Sequence, residues 1–141
     1  MKDTELLQYI HETAQMGIKG LNDVKDRIHD SKLSDAIAQQ MAEYRSISTQ
    51  AGDMLRSKGE EPKDPSLMAT LSSEMMSAMK TMKGASASTV AEMVIQGNNM
   101  GITKGTKHLH DYEGNDKQVR ALAEKLLATE EANVNQMKPF L

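Results

Sequence analysis

Cysteine is absent from the 141 residues. That removes disulfides, thiolate zinc sites, cysteine-ligated iron–sulfur clusters and thiol nucleophiles from consideration. Tryptophan is absent too, and three tyrosines and one phenylalanine are the whole aromatic set, too few for a base-stacking platform. No apolar run approaches the roughly 18 residues of a membrane-spanning helix. The N-terminal MKDTELLQYI lacks the apolar core of a secretory signal, so a cytoplasmic location is expected. Basic residues number 17 against 20 acidic, for a net charge of −3 and a pI near 5.8. No basic tract stands out, so nucleic acid is not an expected partner. Leu, Ile, Val and Phe together fill only 25 positions, a level that alone would suggest disorder. Twelve methionines and 14 alanines supply the missing apolar volume, and the low net charge argues for a folded chain.

What remains reads as helices with clear punctuation. The first is expected from Asp3 or Thr4 to about His29, with Leu7, Ile10, Ala14, Gly17, Leu21, Val24 and Ile28 at alternating spacings of three and four. Asp30-Ser31 can cap a second helix over about Lys32 to Lys58, whose face carries Leu33, Ile37, Met41, Tyr44, Ser48, Ala51 and Leu55. Gly59 is placed to end it in the left-handed conformation. Asp64-Pro65 then pairs an N-cap acceptor with a proline at the first helical position. It announces a shorter helix to about Lys83, striped by Met68, Leu71, Met75, Met79 and Met82. The next helix starts near Ser88, where Thr89 and Glu92 have capping-box spacing, and runs to about Glu113. Its face is Val90, Val94, Gly97, Gly101, Gly105, His108 and Tyr112. After Gly114, with Asn115 and Gln118 offering a reciprocal cap, the last helix runs to about Lys138. It shows Val119, Leu122, Leu126, Glu130, Asn133 and Met137 on one face. With no strand candidate, the expected fold is a single all-α domain over residues 1–141. In it, two antiparallel hairpins form a four-helix bundle joined by a crossover helix.

Two features of these faces bear on function. Glycines 97, 101 and 105 recur every four residues on one stripe, although each interior glycine costs about 1 kcal/mol against alanine. Either close helix packing offsets that cost, or the stripe is a cavity or an association surface. Polar residues also gather near the helix midpoints: Gln15, Glu43, Asn98, Glu130 and Asn133. Asn98, Glu130 and Asn133 can point inward and need partners there.

On this helix plan, and on the LRSKGEEP ending of its second helix, the chain resembles the ferritin-like superfamily. That resemblance implies a four-helix bundle, and a di-metal layer where Glu residues and Glu-x-x-His pairs meet. Only Glu43 and Glu130 match the pattern. Ser46 and Asn133 stand where the histidines would be, and Gln15 and Asn98 near the remaining glutamates. Irregular partners for a metal would be His11, Asn98 or Asn133. His11-Glu12 continues to Gln15, one ligand short of His-Glu-x-x-His. His108, His110 and the nearby lysines suit the negative end of a helix better than a metal. The methionine run, with Met76, Met79 and Met82 three apart, has thioether spacing for copper but suits packing or a partner surface better.

The expected function is therefore a non-catalytic bundle with no cofactor. It would act through self-association or a protein partner, with Gly97, Gly101, Gly105, Met75, Met79 and Met82 as candidate surfaces. Ferritin-like relatives include stress-associated and spore-coat proteins, and the resemblance implies such a setting. The alternative is an iron- or manganese-binding oxidoreductase built on Glu43 and Glu130.

Overall fold

The computed structural model describes residues 1–63 and 86–141. The shorter helix expected from Pro65 to Lys83 lies outside the described residues, and with it Met75, Met79 and Met82. The described residues contain four α-helices and no strand: α1 Asp3–Lys25, α2 Ser31–Ser57, α3 Ala87–Asp111 and α4 Lys117–Met137. A 3-10 turn, Lys138–Phe140, follows.

The helix ends follow local chemistry. α1 stops at Lys25, short of the expected His29, and the chain turns through three-residue bonds from Arg27 N to Val24 O and Ile28 N to Lys25 O. Ile28 still packs on the core from that turn, which is why the apolar spacing outlasts the helix. Asp30 caps α2, accepting from the backbone of Lys32 and Leu33 at 2.9 and 3.0 Å. At its other end Gly59 has φ +82°. Gly59 N donates to Arg56 O and Glu60 N to Leu55 O, both at 3.0 Å, the paired bonds of a glycine-terminated helix.

Two caps fall one position or more from where the sequence spacing puts them. Ser86, not the Thr89–Glu92 box, caps α3 by accepting from Thr89 N at 3.2 Å. Asp116, not Asn115, caps α4, accepting from Gln118 N and Val119 N at 2.9 and 3.3 Å. In each case the helix begins where a short oxygen-bearing side chain reaches the second or third free N–H.

α1 packs chiefly on α2, and α3 chiefly on α4; the pairs join through contacts of α4 with α1 and α2 and of α3 with α1. One contiguous core runs between them. Leu7, Ile10 and Ala14 from α1, Leu33, Ile37, Ile47 and Leu55 from α2, Val90 and Ala91 from α3, and Val119 from α4 are wholly buried. Each such leucine or isoleucine contributes roughly 1.5–3 kcal/mol. At one end of the bundle Lys58 reaches Asp3 at 3.3 Å and Asp116 at 2.9 Å. The buried Tyr112 donates to Asp3 at 2.5 Å. That clasp ties the start of α1, the end of α2 and the α3–α4 connection.

Candidate functional site

Midway along the bundle the core turns polar. Tyr44 leaves the apolar face of α2 and crosses to α3, where its hydroxyl donates to Asn98 Oδ1 at 2.8 Å. Asn133 of α4 donates to the same Asn98 oxygen at 3.2 Å and to the Tyr44 hydroxyl at 3.4 Å. Asn98 returns its own N–H to Val94 O at 2.8 Å. Three helices thus meet in one neutral hydrogen-bonded unit. Such a unit suits an interior because every charged alternative carries a desolvation cost. Gly17 of α1 makes room for it, since a Cβ there would lie 2.7 Å from the Tyr44 ring. Burial first, then the nearby Glu130 carboxyl, hold the Tyr44 hydroxyl far above the usual range against the lowering bond with Asn133, so it stays a neutral donor.

Next to this unit sits Glu130 of α4, with 2 % of its surface exposed. Its Oε1 has no hydrogen-bond partner. Burial alone pushes its pKa from 4.5 to about 8. Its carboxyl fills the space above Gly101 of α3, where a Cβ would overlap it. Gly105, one turn on, is filled by Leu127, and a Cβ there would lie 2.7 Å from Leu127 Cδ2 and 3.6 Å from the Tyr9 hydroxyl. Tyr9 of α1 reaches Gly101 O at 3.5 Å, and its ring lies 4.2 Å from that of His108. Its pKa is pushed up to about 12, first by burial, against a lowering bond with Thr13, and with Glu130 and Glu12 raising it further.

The other expected residues separate from this cluster. Glu43 is exposed, because it precedes the inward Tyr44 by one position and so turns about 100° away on the helix. His11 is partly buried, with Nδ1 lacking a partner, and burial followed by the Arg56 charge lowers its pKa. Gln15 bonds Ser48 of α2 at 2.6 Å. Gly97 is half-buried. Gly101 stays with the cluster, beneath Glu130, and Gly105 lies against Leu127 of α4.

Sequence reasoning missed Gln40, buried and bonded through its amide to Gln136 at 3.0 Å. It also missed that Tyr44 is the hub of the layer. A signal for Gln40 existed: it lies three residues after Ile37 and four before Tyr44, on the same face. Among the described residues, no three of His, Cys, Asp and Glu converge as metal ligands would. One carboxyl beside a phenol and two amides that already bond one another does not fit a di-metal centre, which needs several anionic oxygens to balance its charge.

The helices and the layer inside them define the class: an all-α four-helix bundle with a hydrogen-bonded polar layer at mid-length. Residues 3–111 match the family model described as "Domain of unknown function (DUF2383)", and the chain belongs to that family. No curated protein matches it. Among solved structures, it is similar to one described as "Crystal structure of DUF305 fragment from Deinococcus radiodurans". The two share 13 % identity at a TM-score of 0.77 over 97 % of this chain and 93 % of that one, a likeness of fold. No helix among the described residues is long and apolar enough to cross a membrane.

Proposed function

We propose that this chain is a non-catalytic bundle of the ferritin-like plan that acts by associating with itself or another protein, in a stress-response or coat-like setting. The observation that supports it most is the mid-bundle layer, where Tyr44, Asn98 and Asn133 satisfy one another in the place a reactive centre would occupy. Contacts between α1 and α2 support the antiparallel plan. Gln15 bonds Ser48 and Gly17 lies under Tyr44, and Gln8 bonds Glu61 just past the end of α2, so positions rise along α1 as they fall along α2. A helix over residues 65–83 would supply the crossover. Its sequence stripe of Met75, Met79 and Met82 is the association surface in this reading, since methionine adapts to varied partners.

Light scattering on the full chain tests it. The wild type should form a concentration-dependent oligomer. Substitution of Met75, Met79 and Met82 by Gln should shift it to monomer with its helical circular dichroism retained. A wild type that stays monomeric at all concentrations overturns self-association.

The unpartnered Glu130 oxygen favours a second reading, an iron or manganese site of irregular composition. Elemental mass spectrometry on untagged protein offered both metals decides between them. Metal-free, folded protein supports the first reading. Near-stoichiometric metal that disappears in Glu130→Gln supports the second.

A further inference from the structure

After α2 the chain doubles back. Gly59 turns it in the left-handed conformation. Lys58 sits at Asp3 and Lys63 at Gln8, so the chain climbs alongside α1 from its first residue to its second turn. Residues 61–63 belong to no helix or strand, and Glu61 and Lys63 are exposed. Burial therefore does not order them, and ordering each backbone residue has an entropic cost.

Side chains of both neighbouring helices hold them instead. Gln8 Nε2 donates to Glu61 O at 2.9 Å, and Gln8 Oε1 accepts from Lys63 N at 3.0 Å. One primary amide thus uses its donor and its acceptor on main-chain groups two residues apart. A pair of bonds of that kind sets both the height and the direction of the backbone it grips, as a neighbouring strand does. From the last turn of α2, Arg56 Nε donates to Glu61 Oε2 at 3.3 Å. Pro62 lies over Gly52 of α2, where a Cβ would stand 3.5 Å from Pro62 Cγ and 3.3 Å from Arg56 Nη1.

We propose that Gln8 is a positioning residue for association: by clamping residues 61–63 on α1, it sets the point and the heading from which residues 64–85, with Met75, Met79 and Met82, begin. This rests on the association reading and adds to it the element that presents the surface. Ser86 fixes the other end of that segment by capping α3. A segment anchored at both ends has fewer arrangements to lose on binding, so it binds more tightly.

The test joins amide exchange at Lys63 with the oligomer dissociation constant of the full chain, measured by light scattering over a concentration series. The proteins are wild type, Gln8→Ala, Gln8→Glu and Pro62→Gly. Gln50→Ala is the control, since the Gln50 amide bonds Ser46 of its own helix. The Lys63 amide should exchange slowly in wild type and about tenfold faster in Gln8→Ala. Gln8→Glu keeps the acceptor for Lys63 N and loses the donor to Glu61 O, so it should fall between them. Gln8→Ala should weaken association about tenfold, the scale of ordering one further backbone residue, with helical circular dichroism unchanged. Pro62→Gly should weaken association in the same sense without touching α1, and it decides the matter if Gln8→Ala folds poorly. Gln50→Ala should match wild type. An unprotected Lys63 amide in wild type overturns the clamp. An oligomer whose affinity is unchanged in Gln8→Ala and Pro62→Gly overturns its role and leaves the association reading standing. A wild type that is monomeric throughout overturns both.

Discussion

Two of the polar clusters among the described residues are built on opposite principles. The clasp at one end joins opposite charges, Lys58 between Asp3 and Asp116, near the surface. The layer at mid-length joins neutral groups, Tyr44, Asn98 and Asn133, and carries one acid with an oxygen left unpartnered. Water can replace a lost bond at the clasp. At mid-length it cannot do so without the helices separating, so the same kind of deletion has a larger effect there. The clusters also answer pH in opposite senses. The Lys58 bond, then the α4 backbone N–H groups, hold the Asp116 carboxyl below its ordinary value. Its contribution is present above that value and fades as pH falls. Glu130, raised by burial, loses its contribution as pH rises.

Substitutions rank accordingly. Gly101→Leu would break the contrast most strongly, because it places a side chain where the Glu130 carboxyl sits. Overpacking and the displaced acid together should cost roughly 3 kcal/mol in urea unfolding at neutral pH. A variant as stable as wild type, with unchanged oligomeric state, would sink the packing account of the glycine stripe. Gly17→Ala comes next. Its methyl group would press on a Tyr44 ring already tethered to Asn98, and a loss of about 1–2 kcal/mol is expected by the same measurement.

Tyr44→Phe removes the hydroxyl but leaves Asn98 its bond from Asn133. About 1 kcal/mol is expected, and a protein stabilised by the change would show that the layer is a burden on the fold. Lys58→Met should have the smallest effect at neutral pH and low salt, vanishing as salt is added, because exposed ion pairs are screened. Thermal unfolding at low and high ionic strength checks this. A loss larger than that of Tyr44→Phe would reverse the ranking of the two clusters.

How far each cluster was legible depended on distance along the chain. Local signals carried well. The three- and four-residue spacing of Leu7, Ile10 and Ala14 marks a buried face, and those residues are wholly buried. Gly59 ends α2 as its position suggests, because a left-handed residue after a helix is a one-residue requirement. The caps at Ser86 and Asp116 were displaced because several oxygen-bearing neighbours compete at each start and the reach to the free N–H groups decides among them. Asn98, Glu130 and Asn133 were readable as inward-pointing. Their partners were not, since a helix face says nothing of the register at which another helix crosses it.

The sequence by itself determined an all-α chain without thiol chemistry, the faces of its helices, and the presence of polar residues on those faces. Periodicity, composition and punctuation act within a few residues, and they suffice for that. Only the tertiary structure decided that Gly101 lies beneath Glu130 and that Gly17 lies beneath Tyr44. It alone made Tyr44 the hub between Asn98 and Asn133 and left Glu43 outside. Those facts depend on how four helices set their rotation and height against one another. That is fixed by the packing of the whole core, which no single helix encodes.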